Sequence, residues 1–369
     1  MTIDRCEHEG VKKRTHERAR ADLVRLGYAK LDLAPLIDEA GRLIDQAVPF
    51  EGACWHTMDP ATLIETGVRT HNLPPHNNLI AQNEYVHNDY NKFLQLARST
   101  RHSGLLSEAT AGDLNRSPRY RDFLRPAGLQ GELRSSFVVD GACWGSVSFF
   151  REAPAEFSTQ DRDFAHDVAA TLGRGFRAAL MQAGSAGQAV SPAPAMILLD
   201  RNRGVESITD NARSWLAELG LADEPDRGNL PHVLHAVAEQ ARAGADAIAR
   251  VPGASGRWVV LHASAASGSE PGRVAVIMHG ATPASIAPLV AAAYGFTRRE
   301  RELTELVLQG HVTSDIAARL FLSPLTVQEH LKSIFAKTGV HSRRELVGNV
   351  FMRHYQPRLQ PIGVHDAPA

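Results

Sequence analysis

The chain has only three cysteines in 369 residues, Cys6, Cys54 and Cys143. A secreted scaffold stapled by disulfides is thereby excluded, and a reducing, cytoplasmic setting is expected. Long apolar runs are missing too. The longest candidate, Ala284 to Phe296, is too short to span a bilayer and is interrupted by Pro288. The opening stretch MTIDRCEHEGVKKRTHERAR lacks the apolar centre of a secretory signal, so no membrane association is expected. Net charge is nearly absent as well, with 40 Lys and Arg against 41 Asp and Glu. That balance excludes a chain-wide basic surface for nucleic acid, but not a small basic module within it. No repeat of solenoid length occurs.

At 43% hydrophobic and 22% charged residues, the chain can bury ordinary globular cores. Its length suits two or three domains. The clearest linker is AGSAGQAVSPAPA, Ala183 to Ala195, small and proline-containing with no apolar period. A weaker boundary falls around Gly280 to Ala287, and the proline-bearing tail after Tyr355 has little that can pack. The units expected are 20–183, 195–282 and 290–356.

The first unit predicts a helix over Leu31 to Ala47, with Leu36, Ile37, Ala40, Leu43 and Ile44 on one face. A strand-like run follows at Ala53 to Thr57. Further on, LRSSFVV and CWGSVSFF flank Asp140-Gly141, a pair that tolerates the positive φ angles of a tight hairpin turn. A helix from Thr159 to Met181 closes the unit. The second unit is similar in miniature: AMILLD and VESIT around a turn at Arg201 to Gly204, a helix from Asn211, then RWVVLHAS and RVAVIMHG. Both predict α+β domains built on antiparallel sheets.

The third unit predicts four short helices. Thr297 and Glu300 form a capping box, and Gly310 stops the helix they open. Thr313 is placed to cap the second helix. Ser323 caps the third, with Pro324 at its first position, where a missing N–H costs nothing. Val327, Leu331, Ile334 and Phe335 turn inward, and Gly339 ends that helix. Ser342 and Glu345 form another box, opening a helix that buries Leu346, Val347, Val350 and Phe351. Adjacent short helices joined by a tight turn are a helix-turn-helix layout. Between 296 and 356, nine Lys and Arg face six Asp and Glu, a local surplus that suits a phosphate backbone. Outward on the third helix stand Gln328, Glu329 and Lys332, side chains able to read adenine, cytosine, and guanine or phosphate respectively. On charge alone, a solvated face explains these residues equally well.

The string FTRRERELTELVLQGHVTSDIAARLFLSPLTVQEHLKSIFAKTGVHSRREL resembles the LuxR-type helix-turn-helix. The match runs through Thr297, Arg299-Glu300, Gly310, Ile316-Ala317, Leu320, Ser323, Thr326-Val327, His330, Ile334, Lys337 and Arg343. The resemblance implies a transcription regulator that binds double-stranded DNA as a homodimer. It also implies that the Ser323–Thr338 helix enters the major groove, with Gln328, Glu329 and Lys332 facing bases and Thr326 and Lys337 near phosphates. The DNA-binding residues it implies are therefore Ser323, Thr326, Gln328, Glu329, Lys332, Lys337 and Arg343. Where this family often has lysine the chain has Gln328, a difference that bears on the operator rather than the fold. RNA polymerase is a further partner consistent with such a regulator.

Residues Gly128 to Leu180 resemble a GAF domain, a small-molecule sensing module, and ILLDRNRGVESITDNARSWL with the strands after it resembles a PAS domain. These resemblances imply two sensory units upstream of the DNA-binding one, with a small-molecule effector as partner and no cofactor evident. Cys54 and Cys143 sit in repeated Gly-Ala-Cys-Trp motifs. They are a candidate redox pair if their strands are neighbours, although buried thiols more often simply pack. His56, His71, His76, His87 and His102 match no metal spacing and are expected to be polar loop residues; Cys6, His8 and His16 are weaker still. His232 and His235 on a helix are expected to be core or surface residues rather than haem ligands. No metal site and no catalytic residue is expected, because GxxxxGK[ST], HExxH and G-x-S-x-G are all missing. Two alternatives remain open: upstream domains that only dimerise, and a thiol-dependent GAF-type enzyme.

Overall fold

The computed structural model describes residues 2–73, 77–183, 193–221, 225, 229–245, 247–267 and 271–348. Two helices open the chain, α1 (Thr2–Gly27) and α2 (Leu33–Ala47). α2 buries Leu36, Ile37, Ala40, Leu43 and Ile44, the stripe its 3.6-residue period predicts. Strands β1 (Gly52–Met58) and β2 (Glu65–His71) follow, then short helices α3 (Asn77–Tyr85) and α4 (Phe93–Arg98). β3 (Ser103–Leu105), α5 (Leu106–Ala109), β4 (Leu129–Val139), β5 (Ala142–Glu152) and α6 (Thr159–Ala183) complete the unit. Its strands make one antiparallel sheet in the order β2-β1-β5-β4-β3. Asp140 and Gly141 join β4 to β5 at φ of 52° and 74°, the two positive angles the predicted hairpin requires.

Alternation along β1 separates the two faces of this sheet. Ala53 and Trp55 join the core under α1, α2 and α6, where Trp55 stacks on Phe176 at 6.3 Å between centroids. Cys54, His56 and Met58 point to the other face, beneath α3 to α5.

The second unit holds β6 (Ala195–Leu199), β7 (Val205–Ile208), α7 (Ala212–Glu218), α8 (His232–Arg242), β8 (Ala247–Pro252), β9 (Trp258–Ala265) and β10 (Val274–Gly280). Its order, β7-β6-β10-β9-β8, reproduces the connectivity of the first sheet strand for strand. The strands without a clear sequence signal are β2, β3 and β8. β3 is three residues long, and β2 is a mostly polar edge strand buried only at its first two positions.

α9 (Pro283–Ala293) begins at the predicted second boundary, where Thr282 accepts a hydrogen bond from the Ser285 amide. The boundary is not a loose joint. The core that holds Trp55, Phe137 and Phe176 extends through Trp258 and Val260 to Ile286, Leu289 and Val290 of α9. Ala291 belongs instead to the C-terminal core with Phe296. That last unit comprises α10 (Arg298–Leu308), α11 (Thr313–Leu320), α12 (Pro324–Thr338) and α13 over 343–348. The architecture is therefore two antiparallel α+β units followed by a helical one. Val350, Phe351 and the tail after Tyr355 lie outside the described residues.

Candidate nucleic-acid interface

α12 is positioned by its own caps and by one buried carboxylate. At its start, the Ser323 hydroxyl accepts from the Thr326 amide at 3.1 Å, and Pro324 stands at the first helical position. At its end, Gly339 turns left-handed at φ 68°. Inward, Val327, Leu331 and Ile334 meet Leu303, Val307, Ile316 and Ala317 of α10 and α11. Gly310, at φ 87°, ends the α10 segment. α11 starts differently from expectation: Val312 occupies the cap and Thr313 is already helical, so no side chain caps it. Arg299 instead ties α10 to the end of α11 by donating to the Leu320 carbonyl at 2.9 Å.

The predicted capping box at Thr297 is complete and also joins two helices. The Thr297 amide donates to Glu300 at 2.6 Å, and the Glu300 amide donates to the Thr297 hydroxyl at 3.2 Å. The same Glu300 carboxylate, 3% exposed, accepts from Ser333 Oγ and from Lys337 Nζ, each at 2.7 Å. Burial pushes its pKa up, but Lys337, Ser333 and Thr297 outweigh burial and hold it at about 2. Ser342 forms half of its predicted box: its hydroxyl accepts from the Glu345 amide, while the Glu345 carboxylate takes the His341 amide.

These contacts leave one stripe of α12 in solvent. Leu325, Gln328, Glu329 and Lys332 are exposed at spacings of three and four residues, on one side of the helix. Ser323 is exposed at its N-terminal end. Leu325 is apolar yet 73% exposed, and a further apolar side chain stands beside the stripe, Phe321 at 95% exposure. Phe321 also holds a left-handed backbone, φ 53°, at the turn between α11 and α12. Neither exposure was expected from the sequence, because an apolar residue at an interhelical turn or in the first turn of a helix reads as core. The remaining predicted contacts have structural partners: the Lys337 ammonium is bonded to Glu300 and to the Gly295 carbonyl, and Arg343 donates to the His311 carbonyl. Thr326 is half-buried and shares a 2.8 Å hydrogen bond with Ser323 Oγ.

The proposed redox pairing of Cys54 and Cys143 does not survive the register. Cys54 lies opposite Ser148, five residues along β5 from Cys143. At about 3.3 Å per residue the separation is roughly 16 Å, against about 7 Å at most for bridged Cα atoms. Both thiols are buried, and burial raises both pKa values, that of Cys143 to about 12. Neither has the depressed pKa of a reactive thiol.

The expectation that the early histidines are loop residues fails for His56, which is 2% exposed on β1 and packs on Phe93. A strand position facing a second buried layer carries no signal in histidine spacing. His71 and His87 are exposed, and His102 is half-buried against the Leu96 carbonyl; His76 lies outside the described residues. His16 is buried, with Nε2 3.1 Å from the Ala47 carbonyl oxygen. His232 and His235 are buried on α8, and burial lowers the His235 pKa to about 4.

Around His56 the lower face of the first sheet is polar and closed on itself. Arg119 forms a bidentate pair with Glu132 at 2.7 and 2.8 Å, and Arg134 bonds Glu84 at 3.1 Å while lying 3.7 Å above the Phe93 ring. Cys54, His56, Arg119, Glu132, Arg134 and Phe150 line a cavity of about 50 Å³ there.

The family described as bacterial regulatory proteins, luxR family, matches residues 295–349. The spore germination protein GerE of Bacillus subtilis (strain 168) is 43% identical over 51 residues, 14% of this chain and 69% of GerE. The chain belongs to the luxR family of bacterial regulatory proteins. The luxR-type match spans the whole of α10, α11 and α12 and so contains the exposed stripe. A putative HTH-type transcriptional regulator of Mycobacterium tuberculosis (Rv0890c, strain H37Rv) is 47% identical over 57 residues, 15% of this chain. The chain covers only 6% of that relative's length. Among solved structures, Escherichia coli SdiA aligns over 91% of this chain and 97% of its own at 13% identity, with a TM-score of 0.32.

Proposed function

We propose that the protein is a sequence-specific DNA-binding transcription regulator, acting as a homodimer, in which a signal at the upstream units alters DNA binding. The observation that carries this reading is the α12 stripe of Leu325, Gln328, Glu329 and Lys332. It is solvent-facing on a helix capped at both ends and braced against α10 and α11. A helix held that way presents side chains to base edges in a major groove without an ordering cost at binding. Ser323, at the N-terminus of the same helix, is placed for a backbone phosphate.

We read the first unit as GAF-like and the second as PAS-like, two sensory modules on one strand order. Their link to the DNA-binding unit is α9, whose side chains divide between the sensory core and the helix-turn-helix core. Arg250 supports the link. From β8 it bonds Asp59, in the β1–β2 turn, at 2.8 Å and also donates to the Ser285 carbonyl of α9. A signal that favours one of two arrangements of these units acts on α9 directly.

The test is selection of duplexes from a random-sequence pool by the full-length protein, followed by anisotropy titrations across a salt series. Enrichment of one two-fold motif, with affinity falling steeply with salt, supports the reading. Retention of all duplexes alike, unaffected by Lys332→Ala, sinks it.

A further inference from the structure

Three side chains that the DNA-binding reading leaves unused meet where the first two units touch. His232 is the first residue of α8, Glu65 the first of β2, and His56 sits on the neighbouring β1. His232 Nε2 lies 2.8 Å from Glu65 Oε2. The other carboxylate oxygen, Oε1, has no hydrogen-bond partner and lies 4.0 Å from His56 Nε2. All three side chains are at most 3% exposed. One donor atom from each lies within 4.8 Å of the others.

We propose that His56, Glu65 and His232 are the ligands of a divalent transition-metal ion of the zinc class, bound between the two α+β units. Two imidazoles and one carboxylate are the donors that borderline first-row ions prefer, whereas calcium and magnesium seek oxygen ligands throughout. The spacing agrees. Nitrogen and oxygen ligands about 2.0–2.2 Å from a tetrahedral ion stand roughly 3.3–3.5 Å apart. Bringing one Glu65 oxygen and the two imidazole nitrogens, which lie within 4.8 Å of one another, to that spacing takes side-chain shifts of about 1 Å. A histidine–glutamate hydrogen bond alone does not account for the cluster. It leaves Oε1 buried and unsatisfied, facing a nitrogen too distant to bond. An ion there takes up Oε1, and His56 Nε2 exchanges its contact with Cys54 Sγ for the metal.

The surroundings suit entry and retention. Cys54 Sγ is 3.3 Å from the same His56 nitrogen, a soft donor beside the fourth position. Cys54 and His56 also line the cavity on that face, which gives an ion its approach. Because Glu65 and His56 come from the first unit and His232 from the second, the ion holds α8 against β1 and β2. The site stands on this geometry and is independent of any signal response at DNA.

The experiment uses full-length protein without an affinity tag, stripped with chelator and titrated with Co2+ followed by competition with Zn2+. The expected result is one cobalt per chain, with the visible bands of low-coordinate cobalt, displaced stoichiometrically by zinc. His232→Ala and Glu65→Gln each weaken binding at least about a hundredfold, more than loss of an outer partner brings. His71→Ala, on the exposed end of β2, does not change it. Substoichiometric binding, or equal affinity in wild type and both ligand variants, overturns the site. A wild-type measurement guards against variants that fail to fold: zinc must raise the melting midpoint of stripped protein and chelator must reverse the rise. An unmoved midpoint also overturns it.

Discussion

Glu300→Gln is the most informative single change in the C-terminal helical unit. The carboxylate is 3% exposed and bonded to Thr297, Ser333 and Lys337 together, so it fastens α10 to α12. Its pKa falls from the ordinary 4.5 to about 2 on folding. A drop of that size corresponds to about 3 kcal/mol, and the partly exposed Lys337 brings the expected loss to about 2–3 kcal/mol. The direction with pH follows from which state binds the proton first. The unfolded chain takes it near 4.5 and the folded one only near 2, so the stabilisation is present above 4.5 and is lost as pH falls toward 2. Glutamine still accepts from Thr297 but cannot hold the ammonium. Hydrogen exchange of the slowest α12 amides in the full-length protein reads the effect. At neutral pH the variant should exchange about thirty- to a hundred-and-fiftyfold faster, and the difference should shrink as pH falls from 4.5 and vanish only near pH 2. Equal exchange at neutral pH, or a difference that grows in acid, would refute the assigned role of Glu300.

Lys332→Ala should weaken DNA binding and reduce the salt slope by about one, with an unchanged melt, whereas Gln328→Ala should cost about 1–3 kcal/mol at one base pair and leave the salt slope unchanged; a salt series with competing duplexes separates the two. Lys337→Met should instead lower the stability of the last unit, as read by α12 exchange, because its ammonium is bonded to Glu300. Arg250→Met leaves the fully buried Asp59 without its partner and should cost about 3–5 kcal/mol, largely restored in Asp59→Leu/Arg250→Met; a thermal double-mutant cycle with no coupling would remove Arg250 as the tie between units. Oxidant should yield no Cys54–Cys143 disulfide in peptide maps of the folded protein, and alkylation of both thiols should require unfolding.

The sequence by itself determined the local elements. The box at Thr297 and Glu300, the Ser323-Pro324 start of α12, the Asp140-Gly141 hairpin and the buried stripe of α2 all depend on residues one to four apart, so order along the chain suffices. The luxR match lies within that reach, because a helix-turn-helix is assembled from neighbouring segments. Tertiary structure decided the rest. Strand register set Cys54 and Cys143 apart, although their motifs are identical and their strands are neighbours. Helix packing turned Lys337 toward Glu300, 37 residues away. Docking of the second unit brought His232 to Glu65 across 167 residues, and Arg250 to Asp59 across 191. Such pairs leave no periodic trace, since each partner alone resembles an ordinary polar residue on a short edge strand or a helix end. Their buried charges become legible only when the low-dielectric surroundings are known, because it is desolvation that makes an unpaired donor or acceptor costly.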